Sequence, residues 1–202
     1  MRWLFVIAAL ALSACGDQSA TAQTATQAPK TSNASTHWTM DKSKSVLSFS
    51  AVQSGEAFTG TFERFDAQIS FDPNNLAAAN VVVSVDLKSA DAGDMERTEA
   101  LPGKEWFYVK KFPTAKFETT SFTHKGGTSY EAAADLTIRG TTQQIVLPFT
   151  LAIEGGHASM LGSLTLNRRD YNVGTGMWKS EDWADHSVGV NIALEADLSI
   201  DK

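Results

Sequence analysis

The sequence predicts an all-β fold, an antiparallel β-barrel of about eight strands with one short helical insertion. From His37 onward, apolar and polar residues alternate in one segment after another, which is typical of strands that bury one face. The last segment has thirteen alternating residues, 188–200, and would extend roughly 40 Å at about 3.3 Å per residue. Strands of that length favour a tall barrel over a small sandwich, and closure removes exposed sheet edges.

The most regular part of the pattern predicts a hairpin at 130–153. Apolar residues occupy every second position of 130–138 and again of 145–153, and a turn sequence at 139–142 separates the two segments. The hairpin therefore has one apolar face, which the remaining strands must cover. Arg139 shares the outward parity of Glu131, so the turn is expected to set the strand register rather than to form part of a site.

Other segments alternate in the same way and complete the predicted barrel. They are 47–51, 58–62, 65–71, 81–87, 116–122, 158–167 and 186–200. The segments 58–62 and 65–71 have opposite parity, which predicts a bend or bulge near Glu63 and Arg64. The sequence at 72–75, which contains Asp, Pro and two Asn residues, predicts a turn.

Residues 91–113 interrupt the alternation and predict the helical insertion. Asp91 or Asp94 is positioned to cap a short helix, and Pro102-Gly103 would end it. One face of this helix is expected to carry Met95, Thr98 and Leu101. An aromatic segment that includes Trp106, Phe107 and Phe112 follows.

The first residues predict an export signal rather than part of the fold. Arg2 supplies a positive charge, residues 3–12 form an apolar segment too short to span a bilayer, and Leu12-Ser13-Ala14-Cys15 resembles a bacterial lipobox. We therefore expect residues 1–14 to be a lipoprotein signal peptide and Cys15, the only cysteine, to carry lipid. The alternative is a cleaved secretory signal followed by an incidental cysteine.

Residues 15–36 are expected to form a flexible tether, because small and polar side chains dominate them. Residues 37–202 remain for the barrel domain. Gly16 follows the cysteine, and by resemblance to bacterial lipoproteins this favours sorting to the outer membrane. The expected location is thus the periplasm, with the protein anchored to a bacterial membrane through its acyl chains.

The charge and the phenylalanine content restrict the partners. A formal net charge of −6 without any basic run argues against nucleic acid or an anionic membrane as an electrostatically held partner. The eleven phenylalanines fall mainly on the apolar strand faces, which indicates a packed core or, alternatively, a barrel interior with room for one small ligand. The cavity alternative is favoured by small residues on the same faces, namely Ala51, Gly60, Ala132, Ala134, Gly162 and Ala196.

The sequence contains none of the common catalytic motifs for acyl transfer, zinc hydrolysis or phosphate binding. The four histidines, His37, His124, His157 and His186, fall in different predicted elements, so we expect neither a metal site nor an enzyme. The segment 183–186 combines tryptophan, aspartate and histidine and could face a ligand. Its alternative role is to anchor a loop.

Four segments resemble successive motifs of the YceI-like family in order and spacing. They are FTGTFERF at 58–65, ISFDP at 69–73, FPTAKF at 112–117 and LTIRGTT at 136–142. The resemblance extends over nearly all of residues 38–198. It implies an extended lipocalin-like antiparallel β-barrel whose interior holds a polyisoprenoid chain, in a periplasmic or exported protein without established catalytic activity.

The helical insertion departs from the commoner version of this family. That version has Arg-Asp-x-His-Leu, whereas residues 97–101 read Arg-Thr-Glu-Ala-Leu, so a ligand contact made by the missing Asp and His is not carried over. Residues 101–107 and 167–176 instead resemble a branch associated with cytochrome b561-like membrane proteins. This resemblance implies an isoprenoid quinone, such as ubiquinone, as the bound ligand and a cytochrome b561-like protein as a partner.

The sequence thus predicts a periplasmic, lipid-anchored binding protein that holds a polyisoprenoid or isoprenoid quinone, without a metal or covalent cofactor. The alternatives are a structural or interaction lipoprotein with a packed barrel, and a quinone-linked redox module in which His186 with Asp185 or Asp170 handles a proton. The expected tail contacts are Phe49, Phe58, Phe62, Phe107, Phe117, Leu136, Leu147, Phe149, Leu164 and Ile192. The residues expected at the mouth, beside a polar head group, are Arg97, Arg168, Trp178 and His186.

Overall fold

The computed structural model describes residues 36–199 of the 202-residue chain. The signal peptide, Cys15 and nearly all of the tether lie outside this range, so their interpretation stays a prediction. No helix within the described range is long and apolar enough to cross a membrane.

The strands of the described range form one antiparallel sheet that closes into a barrel. The strands are β1 (His37–Met40), β2 (Val46–Gln53), β3 (Glu56–Phe62), β4 (Phe65–Ser70), β5 (Asn80–Asp86), β6 (Ala90–Asp91), β7 (Thr114–Gly126), β8 (Ser129–Ile138), β9 (Thr141–Glu154), β10 (His157–Asn167) and β11 (Ser187–Leu198). Eight of them close the barrel in the order β1-β4-β5-β7-β8-β9-β10-β11, and β2, β3 and β6 extend the sheet from β11. The predicted fold class, an antiparallel barrel with a short helical insertion, is confirmed.

Strand β11 has different partners along its two halves. Its C-terminal half pairs with β1, where Met40 lies opposite Ala196, and its N-terminal half pairs with β2, where Phe49 lies opposite Val190. Strands β1 and β4 therefore complete the barrel at one end, which we name the closed end. At the other end the sheet continues into β2, β3 and β6 instead of closing, and we name this end the mouth.

The hairpin of β8 and β9 has the predicted turn at its tip. Ile138 pairs with Thr141, and the two residues between them, Arg139 (φ 51°) and Gly140 (φ 74°), are both in the left-handed region. This is the two-residue turn that matches the twist of the flanking strands. A Cβ at position 140 would lie 2.6 Å from the Phe112 ring, so packing as well as backbone conformation requires glycine.

The predicted bend near Glu63 and Arg64 is also confirmed. Strand β3 ends at Phe62 and β4 begins at Phe65, with Glu63 and Arg64 between them. The side-chain parity therefore changes across these two residues, and the apolar residues of both strands still face the interior.

The helical insertion contains α1 (Met95–Ala100), and Asp94 is its N-cap. The Asp94 carboxylate accepts a hydrogen bond of 3.1 Å from the Arg97 amide, which satisfies one of the free amides of the first turn. Of the three residues expected to share one helix face, Met95 is 77% exposed, whereas Leu101 lines the barrel interior. The face turned toward the barrel interior carries Glu96, Arg97, Ala100 and Leu101. Short 3-10 helices lie at Leu76–Ala78, Leu87–Ser89, Arg168–Tyr171 and Gly176–Lys179.

A hydrophobic core fills much of the barrel toward the closed end. The Trp38 indole donates to the Phe71 carbonyl at 2.8 Å, and the Phe71 ring packs edge-on against Phe122, with 5.1 Å between ring centroids. Tyr130 stacks on Phe149 at 5.5 Å. These aromatic contacts join β1, β7, β8 and β9, and they leave most of the free interior space toward the mouth.

His157 forms an ionic cluster on the outer surface near the closed end. Its Nδ1 lies 2.8 Å from the Asp197 carboxylate and its Nε2 lies 2.9 Å from Glu195. These two hydrogen bonds, the one with Asp197 first, raise the pKa of His157 above its usual 6.5. Lys44 faces the same carboxylates from the turn before β2, and its positive charge competes for them.

We expect the His157→Gln variant to lose stability at pH 6 but not at pH 9. The folded-state pKa of His157 is raised, so its stabilising contribution is fully present below the unfolded pKa of about 6.5 and disappears as the pH rises through the folded pKa. Urea unfolding at the two pH values measures this difference. Ser159→Ala is the control, because it removes a hydrogen bond of 2.9 Å to Glu195 but no group that titrates between these pH values. Its loss of unfolding free energy should be the same at both pH values. An equal loss for His157→Gln at pH 6 and pH 9 would contradict the prediction.

Candidate functional site

An apolar cavity of about 300 Å³ lies inside the barrel toward the mouth. Inward side chains of most barrel strands form its wall, and many of them, such as Leu136 and Leu164, are only half-buried because they border empty space. Two irregular segments cover the cavity at the mouth. These segments, 95–113 and 168–186, are named the cap.

Nine of the ten predicted tail contacts line this cavity. They are Phe49, Phe58, Phe62, Phe107, Phe117, Leu136, Leu147, Leu164 and Ile192. Their common inward direction follows from the strand alternation, except for Phe107, which belongs to the cap. The tenth residue, Phe149, lies deeper, at a second cavity of about 80 Å³ toward the closed end.

The two cavities lie one behind the other within the barrel. Five side chains line both of them, namely Val81, Phe117, Leu147, Met160 and Leu194. Along β11, the lining residues extend from Val188 to Ala196, which spans roughly 26 Å at about 3.3 Å per residue. The apolar lining therefore continues along the barrel from one cavity to the next.

The small residues of the strand faces serve the packing of neighbouring aromatic rings as well as the cavity. A Cβ at Gly60 would collide with the Phe49 ring and the Asp91 carbonyl, so glycine here admits Phe49. A Cβ at Gly162 would lie 3.3 Å from Leu147 Cδ1, a tight contact with another cavity residue. The sequence pattern alone does not separate these packing roles from space for a ligand.

All charged residues that line the larger cavity belong to the cap. They are Glu96, Arg97, Arg168 and Asp185. The barrel strands contribute almost only apolar side chains, and burial raises the pKa of the cavity residue Tyr171 to about 12, so its phenol is neutral at physiological pH. The site is therefore polar at the mouth and apolar in its depth.

Arg97 faces the cavity from α1. Its guanidinium carbon lies 4.6 Å from the centroid of the Phe58 ring, a cation–π contact. Its Nε is buried and meets no hydrogen-bond acceptor among residues 36–199, and none of the ion pairs in that range includes it. Arg97 thus presents an unsatisfied donor in an apolar wall.

Arg168 is also at the mouth, but its guanidinium is occupied by the protein. The side chain is 5% exposed, and burial lowers its pKa relative to the usual value of arginine. Its nitrogens donate to the carbonyls of Asp185 at 2.7 Å, Val173 at 2.9 Å, Gly174 at 3.3 Å, Trp178 at 2.6 Å and Ala184 at 2.6 Å. Arg168 therefore organises the second cap segment instead of offering free donors to a ligand.

Trp178 lines the cavity and joins the two cap segments. Its indole nitrogen donates to the Glu105 carboxylate at 3.0 Å, and its ring packs against Trp106 with 5.2 Å between centroids. The Thr175 amide donates to the Glu105 carbonyl at 2.8 Å. Arg139, at the tip of the β8–β9 hairpin, donates to the carbonyls of Lys104 and Asn172, one in each cap segment.

His186, the fourth residue predicted at the mouth, does not line either interior cavity. Its Nε2 donates to the Lys179 carbonyl at 2.8 Å, and its Nδ1 lies 3.3 Å from the Glu181 carboxylate. These contacts hold the loop before β11, which was the alternative role considered for the segment 183–186. Asp185 of the same segment does line the cavity.

Sequence reasoning missed several cap residues of the site. They are Glu96, Ala100, Leu101, Trp106, Tyr171, Val173 and Ala184. The cap has no strand period from which an inward direction could be inferred. The aromatic segment around Trp106 was the only signal, and it did not indicate which rings face the interior.

A closed antiparallel barrel with an apolar interior and a polar, covered mouth defines a lipocalin-like binding barrel. This class encloses ligands within the barrel. The chain belongs to the YceI-like family, because the YceI-like domain matches residues 38–200. Family membership supports a binding role and gives no catalytic assignment.

Similar proteins agree with this family. A UPF0312 protein of Vibrio cholerae is 34% identical over 120 residues, which are 56% of this chain and 64% of the relative, so the chain spans less than two thirds of that relative's length. The crystal structure of BcnA from Burkholderia cenocepacia is similar with 32% identity and a TM-score of 0.74, over 77% of this chain and 98% of BcnA. A polyisoprenoid-binding domain from Saccharophagus degradans shares the fold with 14% identity and a TM-score of 0.66, over 81% of this chain and 99% of that domain.

Proposed function

We propose that this protein binds an isoprenoid lipid, with the tail in the barrel and the polar head group at the cap. The observation that carries the proposal is the distribution of charge around the cavity. Charged side chains line it only at the cap, and apolar side chains line its depth. An amphipathic molecule with a long apolar tail matches this arrangement.

The free energy of transfer from water explains why an isoprenoid lipid needs a binding protein. Each buried methylene group gains about 0.8 kcal/mol on leaving water, so a tail of several isoprene units cannot cross an aqueous compartment alone. The barrel would provide an apolar environment for the tail. The protein would thereby carry the lipid, store it or present it to a partner. The structural similarity to the Saccharophagus degradans domain supports an isoprenoid over other apolar tails.

Arg97 supports an isoprenoid quinone as the particular ligand. Its buried, unsatisfied Nε suits a carbonyl acceptor, and a quinone head offers two carbonyl oxygens without a negative charge. We further propose that the protein is periplasmic, anchored through Cys15, with the outer membrane favoured, and that a cytochrome b561-like protein receives or supplies the quinone. The resemblances found in the sequence support these finer proposals.

The two alternative functions receive less support. A packed structural lipoprotein would have no interior space, whereas this barrel contains the cavity of about 300 Å³. A redox module that uses His186 would place the imidazole at the ligand, whereas His186 bonds the Lys179 carbonyl outside the cavity. We therefore propose lipid binding without a catalytic step.

Mass spectrometry of an organic extract from the purified full-length protein tests the proposed function. We expect a prenyl lipid in near-stoichiometric amount, with ubiquinone or menaquinone as the main species. An unrelated lipoprotein purified from the same cells in the same detergent is the control for adventitious lipid. Repeated extracts without any prenyl lipid above this control would reject isoprenoid binding, and a prenyl lipid without a quinone head would reject only the quinone.

The Arg97→Gln variant is expected to bind ubiquinone about fivefold more weakly, because one hydrogen bond to the head group is worth about 1 kcal/mol. Squalene, which has an isoprenoid chain without a polar head, should bind both forms equally. Glu99→Gln on the same helix is the matched control, because Glu99 is exposed and does not line the cavity. Equal loss of both ligands would show that Arg97 shapes the wall instead of recognising the head.

A further inference from the structure

The two cap segments carry three exposed large apolar side chains. Met95 is 77% exposed, Met177 is 55% exposed and Trp183 is 47% exposed. The other large exposed apolar residues of the described range all lie on strands, namely Val46, Val146, Ile153, Leu161 and Leu198. The cap thus differs from the rest of the surface, because its apolar side chains project from irregular segments and a short helix rather than from the barrel wall.

Each of these three residues is the chain neighbour of a residue that lines the cavity. The pairs are Met95 with Glu96, Met177 with Trp178, and Trp183 with Ala184. The loop that carries Trp183 is held in place, because its carbonyl accepts from the Ser54 amide at 3.1 Å. The three side chains therefore project into solvent from the same elements that cover the cavity.

The charges of the cap balance. Residues 95–113 contain four basic and three acidic side chains, and residues 168–186 contain three basic and four acidic ones. A partner of strong positive or negative charge is therefore not attracted electrostatically to this surface. An apolar partner, in contrast, can accept methionine and tryptophan side chains at the boundary between water and hydrocarbon.

We propose that the cap docks the mouth onto a lipid bilayer, with Met95, Met177 and Trp183 inserted among the lipids. This inference rests on the proposed function, because the lipid that fills the barrel has a bilayer as its source or destination. A docked mouth lets the tail pass between two apolar environments without exposure to water. The balanced charge predicts that docking does not need anionic lipids.

Amide hydrogen exchange of the full-length protein with phosphatidylcholine vesicles tests this orientation. We expect slower exchange at 95–101 and 176–186 when vesicles are present, and unchanged exchange in the turn at 155–156 near the closed end. An N-terminal anchor would hold the protein at the vesicle in any orientation, so the pattern of protection reports which surface faces the lipid.

Two triple variants make the test specific. Met95→Ser, Met177→Ser and Trp183→Ser together should abolish the vesicle-dependent protection of the cap, whereas Val46→Ser, Val146→Ser and Leu161→Ser on the barrel wall should retain it. Protection that persists in the cap variant, or that appears on the barrel wall instead, would overturn the proposal. Cap protection that depends on protein concentration without vesicles would also overturn it, in favour of a second copy of this chain as the partner.

The lipid content of the cap variant separates this inference from the proposed function. Binding of detergent-dispersed ubiquinone should equal that of the wild type, because none of the three substituted side chains lines the cavity. If the wild type binds lipid but its cap amides are not protected by vesicles, only the docking inference is rejected. If the wild type binds no lipid, the proposed function is rejected, and with it the docking inference that rests on it.

Discussion

The Leu164→Trp variant is expected to carry at least about tenfold less lipid than the wild type, which corresponds to about 1.4 kcal/mol or more of lost binding energy. Leu164 lies on β10 and its side chain borders the larger cavity. An indole at this position would occupy the space proposed for the isoprenoid tail. The cost to folding should be small, because the extra atoms enter a cavity instead of a filled core.

Leu161→Trp is the matched control for this variant. Leu161 lies on the same strand but is 58% exposed on the outer wall. Its replacement should leave both the extracted lipid and the midpoint of thermal unfolding unchanged. Mass spectrometry of the extracts and calorimetry of both variants measure these quantities. Wild-type lipid levels in a folded Leu164→Trp protein would show that the ligand does not use the cavity.

The Arg168→Met variant is expected to lose about 3–5 kcal/mol of the free energy of unfolding. The guanidinium of Arg168 donates to five backbone carbonyls in a buried environment, and methionine would remove this donor from each of them. The Gly174 carbonyl would keep its hydrogen bond from Arg169. The second cap segment should then exchange its amide hydrogens rapidly even where the barrel remains folded. Chemical denaturation and local hydrogen exchange together measure the two effects.

Two neighbouring substitutions show whether the shape or the charge of Arg168 matters. Arg168→Lys should restore little of the lost stability, because one ammonium group cannot donate to all the carbonyls that surround a planar guanidinium. Arg169→Gln should lower the free energy of unfolding far less, since within residues 36–199 the Arg169 side chain makes one hydrogen bond, of 2.6 Å to the Gly174 carbonyl. Full rescue by lysine would show that a positive charge alone stabilises the cap.

The barrel could be predicted from the sequence because its strands have a strict period. Alternation at 130–138 and 145–153 correctly gave the two faces of the central hairpin, and the parity change near Glu63 correctly gave the bend. In a barrel, every second residue of a strand points into the interior, so the alternation alone identifies the interior side chains. For this reason the strand residues chosen from parity border the interior cavities.

The cap could not be predicted to the same degree, because its conformation depends on contacts between segments distant in the sequence. The sequence placed Met95, Thr98 and Leu101 on one helix face, but the position of α1 at the mouth leaves Met95 exposed and brings Leu101 to the cavity beside Arg97. Arg168 and His186 were both placed beside the ligand on chemical grounds. In the folded loop, backbone carbonyls accept from the Arg168 guanidinium and from His186 Nε2, and the Glu181 carboxylate lies beside His186 Nδ1.

The filled closed end has a consequence for the exchange of one lipid for another. Aromatic side chains, among them Trp38 and Phe71, occupy the interior where β1 and β4 complete the barrel. Under the proposed function, a resident lipid and an incoming lipid would therefore use the same entrance, and the second could not enter before the first had left. Under the proposed function, exchange is dissociative, and its rate is set by release of the resident lipid, however much of the competing lipid is supplied.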